Sequence, residues 1–253
     1  MPFPLLAHQA PVLPLKARWP RAFNATALVV GSIAPDLENF SNATARAGFG
    51  HTLRAQITFC LPVTLGVVLL VGHLRLGEVL AARFGKPLAW LADAATDVAR
   101  PGGLRRAVVS ALCGSFSHLA LDALTHEAPM RVSHATYHVA HLMFSLQAVA
   151  QLVVSVIGAL VSLWILRRMY LQNTREPPPR RPGAIFVVAF ALAGGVFGAH
   201  RARPAIAHPD WYFQAGRVYV WGYVLFLVVA AAAGGVLIAG ATLAAFDRIR
   251  HPR

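Results

Sequence analysis

Between Val218 and Phe246 the chain runs for 29 residues without a single charged side chain. A helix rises about 1.5 Å per residue, so this run is longer than the ~30 Å hydrocarbon core of a bilayer requires. Three further segments have much the same character: Ile57–Leu76, Leu142–Leu166 and the shorter Ala184–Ala199. A fifth, Ala107–Thr125, is interrupted by Ser110, Ser115, Ser117, His118 and Asp122. In lipid every backbone polar group must be satisfied within its own segment, which favours helices. The expectation is an all-α, polytopic transmembrane helical bundle of about five spans.

The remaining segments fit around that core. Ala22–Ala34 is apolar but too short to cross, so it reads as a helix buried in the bundle or half-inserted. Glu78–Arg100 mixes Leu80, Phe84, Leu88, Trp90 and Leu91 with charges and reads as an interfacial amphipathic helix. Pro62 is expected to bend the first span near one end. Gly194 and Gly198 are spaced for close helix contact in the fourth. Three units follow: a membrane domain over 1–171, a Pro/Arg-rich linker over 172–182, and a two-span hairpin over 183–253.

Charge separates the partner classes. Only 13% of residues are charged, about half the usual share for a soluble domain, yet the net charge is +13. The arginines flank apolar segments instead of forming one stripe. That points to a bilayer with anionic head groups and away from nucleic acid. With five spans, fourteen Lys and Arg fall on the face holding the 75–106 loop, the 167–182 loop and the C-terminus. Nine fall on the other, with Lys16, Arg18 and Arg21 among them. The richer face is expected to be cytoplasmic. The two cysteines, Cys60 and Cys113, lie in apolar segments and read as buried thiols.

The polar residues inside the second span carry the chemistry. His118, Asp122 and His126 follow at i, i+4 and i+8, so on a helix they share one face. A carboxylate deep in an apolar span costs several kcal/mol unless it meets a cation or a partner. Imidazole and carboxylate together are a ligand set for zinc and similar divalent metals. Asp36 and Glu38 lie in GSIAPDLENF, His51 directly precedes the first span, and His8 lies in LLAHQAP. Two consecutive antiparallel spans bring His51 to the same membrane face as His118–His126, and Asp36, fifteen residues from His51, can reach it. His134, His138, His141, His200 and His208 read instead as interfacial polar residues.

MPFPLLAHQAPVLPL, GSIAPDLENF, GHT and SHLALDALTHE together resemble a bacterial membrane family, domain of unknown function 4184. The resemblance covers about the first 170 residues. It departs at Ala7-His8-Gln9, where the family has a Ser-His-Pro step. That family is in turn similar to inner-membrane proteins described as metal-dependent hydrolases, distantly to the zinc-dependent phospholipase C group. The resemblance implies a metal site of His8, Asp36, His51, His118, Asp122 and His126, holding a divalent ion such as zinc. Two functions are then in competition. One is a membrane-embedded hydrolase of an ester or phosphoester, with a lipid-linked substrate as one option and Glu38 or Glu127 as general base. The other is a non-enzymatic membrane protein, either an ion carrier or a metal-stapled structural component. In both readings the setting is the bacterial inner membrane, with the C-terminus in the cytoplasm.

Overall fold

Helix formation here follows the apolar runs, and the helices extend past them into their charged flanks. A computed structural model describes residues 7–38, 48–85, 98, 100–124, 136–139, 142–172, 179, 181–207 and 217–250. Eight helices matter for the argument: α1 Leu13–Arg18, α2 Ala25–Ile33, α3 Leu53–His73, α4 Leu76–Phe84, α5 Gly103–Asp122, α6 Leu146–Gln172, α7 Ala184–Ala207 and α8 Arg217–Arg250. A short antiparallel hairpin, β1 Thr136–Val139 and β2 Leu142–Ser145, precedes α6. The first residues of the expected third span are therefore extended, and the helix starts at Leu146 and runs on to Gln172.

Among the described residues, four helical segments are long and apolar enough to cross a membrane: Leu53–His73, Val153–Gln172, Ala184–Ala207 and Tyr223–Arg250. Their outward side chains are the apolar ones, with Leu160, Ile185, Val196 and Ile238 all strongly exposed. A water-facing surface would not carry so many. The chain is thus a helical membrane protein. The fifth expected span, α5, has the length at 20 residues but not the apolarity, because Arg105, Arg106, three serines, His118 and Asp122 interrupt it. One face of it packs into the bundle, burying Ala107, Ser110, Ala111, Gly114, Ser115 and His118, while Leu104, Val109 and Phe116 are exposed.

The short segment over 22–34 is settled as α2, buried in the bundle, with Ala27 and Leu28 fully covered. Asn24 caps it by accepting from the Ala27 N–H at 2.9 Å. The Asn24 N–H in turn donates to Ser110 Oγ at 2.8 Å, tying the start of α2 to α5. A Cβ placed on Gly114 would stand 2.6 Å from the Leu28 carbonyl oxygen, and one on Gly31 2.5 Å from that of Ala111. Any larger residue would push α2 and α5 apart.

Gln56–Cys60 in α3 forms a π-helical turn, immediately followed by Pro62 in the first turn of regular helix. Proline lacks an N–H and clashes with the carbonyl four residues back, so widening that turn accommodates it. The expected distortion therefore lies just ahead of Pro62.

Helices α7 and α8 pack antiparallel along a glycine seam. Cβ atoms at Gly194, Gly198 and Gly235 would meet the carbonyls of Ala231, Leu227 and Phe190 at 2.2, 2.3 and 2.0 Å. The expected role of Gly194 and Gly198 is met. α4 is the described part of the expected interfacial segment; it buries Leu76 and Leu80 against Val187 and Ala239. Residues 86–97 lie outside the described part.

At the N-terminal end of α5 lies an open cavity of about 1120 Å³. Lys16, Arg18 and Arg21 line it together with Arg100, Arg106 and Arg168. The expectation had split these six between opposite faces. The structure corrects this: the segment from α1 to Arg21 doubles back beside the starts and ends of the other helices.

Candidate metal centre

Four separate stretches of chain deliver the site. His8 comes from the turn before α1, Asp36 from the 3₁₀ turn Ala34–Leu37 that ends α2, His51 from the turn Phe49–His51, and His118 and Asp122 from α5. His8, Asp36 and His118 are buried, with side chains 2% exposed or less. His51 and Asp122 keep 28% and 19% of their side chains exposed, so one side of the cluster is open.

The tautomer of His118 follows from its partner. Its Nδ1 lies 2.8 Å from the carbonyl oxygen of Ser32, which can only accept, so Nδ1 carries a proton and Nε2 faces the cluster. A backbone carbonyl orienting an imidazole in this way is the usual support for a metal-ligating histidine. His118 Nε2 lies 3.2 Å from His51 Nε2, 3.3 Å from Asp122 Oδ2 and 3.8 Å from Asp36 Oδ1. His51 Nε2 lies 3.1 Å from Asp122 Oδ2 and 3.5 Å from Asp36 Oδ1. A tetrahedral ion with ligands at ~2.0–2.1 Å sets neighbouring ligand atoms about 3.3 Å apart. Five of the six edges of such a tetrahedron are therefore present at 3.1–3.8 Å.

His8 adds a fifth member. Its ring stacks on that of His118 with centroids 4.0 Å apart and planes 18° apart. Among the described residues neither of its ring nitrogens meets a hydrogen-bond partner, although both are buried. An unsatisfied buried nitrogen is costly, and a metal would satisfy it. Burial, and after it the neighbouring His118, push His8 down to about 3, which keeps a lone pair available at neutral pH. With its own atoms nearby, His8 forms a second ligand set with His118 and Asp122, all within 4.8 Å. A Cβ on Gly158 would stand 2.9 Å from Ala7 Cα, so this small residue lets α6 close over the turn that carries His8.

His51 behaves differently. Its burial alone would lower its pKa, but the carboxylates of Asp122 and Asp36 outweigh that and hold it up at about 10. Without a dication, the two carboxylates retain a proton on His51.

The chain belongs to the family described as "Domain of unknown function (DUF4184)". The family match covers residues 1–241, well past the first 170 or so where the motifs concentrate. No curated protein and no solved structure matches the chain. Of the motif residues of this DUF4184 chain, His8, Asp36, His51, His118 and Asp122 meet in one place. His126 and Glu127 lie outside the described residues.

Glu38 does not join the ligand atoms. Its buried carboxylate accepts the N–H of Gly50, next to His51. Gln56, inside the π turn, donates to the Gly50 carbonyl at 2.8 Å and to that of Thr52 at 3.0 Å. Glu38 and Gln56 thus hold the turn that presents His51. Gln56 is fully buried and is not among the residues that the motifs single out. A polar side chain four residues ahead of Cys60 in a span-like run was the available signal.

Proposed function

We propose that the cluster binds one divalent metal ion, zinc above other metals, and that the protein uses it to hydrolyse an ester or phosphoester at the membrane. The observation that carries this reading is the convergence of two imidazoles and two carboxylates at tetrahedral-edge spacings. A bound ion of this kind lowers the pKa of a coordinated water to about 7, supplying a nucleophile at neutral pH. The chain's own residues do the rest. Ser32 fixes the His118 ring, Glu38 and Gln56 fix the His51 turn, and Asp36 brings negative charge that favours a dication. The exposed edge of His51 and Asp122 is where a substrate would approach. With the Glu38 carboxylate engaged by Gly50, Glu38 acts as a positioning residue, and Glu127 is the remaining candidate for the base. The setting of the cluster in a membrane bundle favours a lipid-linked substrate.

One observation favours a second reading. Two histidines and two aspartates already fill a four-coordinate shell, and closed shells are characteristic of structural zinc. A metal staple would hold its ion against a chelator and turn over nothing.

The cavity at the start of α5 bears on orientation. Moving Lys16, Arg18 and Arg21 to the face of Arg100, Arg106 and Arg168 turns fourteen against nine into seventeen against six. That balance supports a cytoplasmic C-terminus in a bacterial inner membrane, with the His/Asp cluster on the opposite side.

The test is turnover. Purified protein in lipid vesicles should release a head group or fatty acid from glycerophospholipids, lose that activity to a chelator and regain it with zinc. Zinc-loaded protein that cleaves neither these lipids nor a soluble phosphodiester or ester overturns the hydrolase reading and leaves the staple.

A further inference from the structure

The basic cavity is about 12 residues along α5 from His118, or roughly 18 Å at a helical rise of 1.5 Å, so it is a separate place from the metal cluster. One of its walls is a single stripe of α6: Val161, Trp164, Ile165 and Arg168, at i, i+3, i+4 and i+7. The stripe is graded. Its lower part is apolar and belongs to a membrane-spanning segment, with Val161 and Trp164 exposed beside a packed Ile165. Its upper end is basic, where Arg168 leans over the Trp164 ring at 5.8 Å. Across from it stand Arg106 at the start of α5 and the loop after α1. That loop is braced by the Lys16 ammonium, which donates to the carbonyls of Pro20 and Phe23 at 2.6 and 2.7 Å. No acidic residue is among the described residues that line the cavity.

A site with an apolar lower wall inside the bilayer and a crown of guanidinium groups at its surface matches one kind of molecule. We infer that this cavity binds the phosphate-bearing head group of an anionic membrane lipid, with an acyl chain lying along Val161 and the edge of Trp164. Guanidinium forks suit phosphate oxygens, and the aromatic face of Trp164 suits the glycerol level of the bilayer. A free phosphate would use the arginines but leave the apolar wall unfilled, and a zwitterionic lipid would set its own cation against the arginines. The inference is independent of whether the His/Asp cluster holds a metal.

Native mass spectrometry of the full chain in neutral detergent tests this. Phosphatidylglycerol and phosphatidylcholine with identical acyl chains are titrated in parallel, with inorganic phosphate as competitor. Phosphatidylglycerol should bind at least about tenfold more tightly, and raised salt should weaken it. Arg106→Gln with Arg168→Gln should weaken it about thirtyfold, at about a factor of five to six for each cation removed. Arg106→Lys with Arg168→Lys should recover most of the loss. Equal binding of the two lipids, or unchanged binding in the double glutamine variant, overturns the inference. Displacement of the lipid by inorganic phosphate at matching concentrations assigns the cavity to free phosphate and overturns it equally. Should the glutamine pair fail to fold, the salt titration of the wild type decides, and salt-insensitive binding counts against an anionic head group.

Discussion

Two ion clusters tie distant segments of this molecule together, and they are built from different groups. In one, Asp247 of α8 sits between Arg83 of α4, at 2.9 Å, and Arg181, at 3.2 Å. Arg83 also donates to the Val79 carbonyl, and the Arg181 N–H to that of Ala82. This cluster has permanent cations for its anion, so it is complete as it stands and joins α4 to the α7–α8 pair. In the other, Asp36 and Asp122 face the imidazoles of His8, His51 and His118. Its members can all give up protons and all offer lone pairs. Burial of charge alone does not mark a functional site. What marks the second cluster is that its imidazole and carboxylate atoms converge at the spacing of a metal's ligand shell.

The comparison can be broken by mutation, and His118→Ala should have the largest effect. His118 touches every other member of the cluster, so its loss should weaken metal binding at least about a hundredfold, the upper end of what losing even a supporting partner costs. Metal titration of the purified variant reads this directly, and wild-type affinity would show that His118 is not a ligand. Gly114→Ala should come next. It cannot be placed without moving α5 from α2, so it should cost about 1–3 kcal/mol of stability. It should also weaken metal binding about tenfold by drawing His118 from the Ser32 carbonyl. A variant of normal affinity would mean that the α2–α5 seam does not set the site. Asp247→Ala should have the smallest effect on metal, namely none. It should still lower stability by about 2 kcal/mol, less than the ~3–5 of a fully buried pair because Asp247 is partly exposed. Thermal unfolding alongside metal titration separates the two effects. Lost metal binding there would mean that the two clusters are one system.

How much of this the residues announce depends on the range of the interaction. Helix-scale features are legible because their period is local: the spans, the HxxxD pair on α5 and the Gly194/Gly198 seam all follow from spacing. The meeting of His51 with Asp122 is legible because two antiparallel helices leave few alternatives. Other features depend on contacts between distant segments. Nothing local places Lys16 beside Arg106, and the assignment of Lys16, Arg18 and Arg21 to the opposite face failed for that reason. Nothing local joins Arg83 to Asp247 either, 164 residues away. Glu38 looks like a base by adjacency to Asp36, yet its carboxylate turns to Gly50, a choice made by how the two turns pack. At α5 the residues give a mixed signal, because length and motif suggest a membrane helix whereas Arg105, Arg106 and the serines lower its apolarity below that of the other spans.

The central claim is that a dication completes the His/Asp cluster, and elemental analysis of wild type and Asp122→Ala, purified side by side without added metal, tests it most directly. Asp122 contributes the oxygen nearest to both His51 and His118, at 3.1 and 3.3 Å. The account predicts close to one equivalent of divalent metal, chiefly zinc, in the wild type and close to none in the variant. Equal contents near zero in both would mean that the cluster is a proton-sharing network of acids and imidazoles, and the hydrolase reading would fall with the metal.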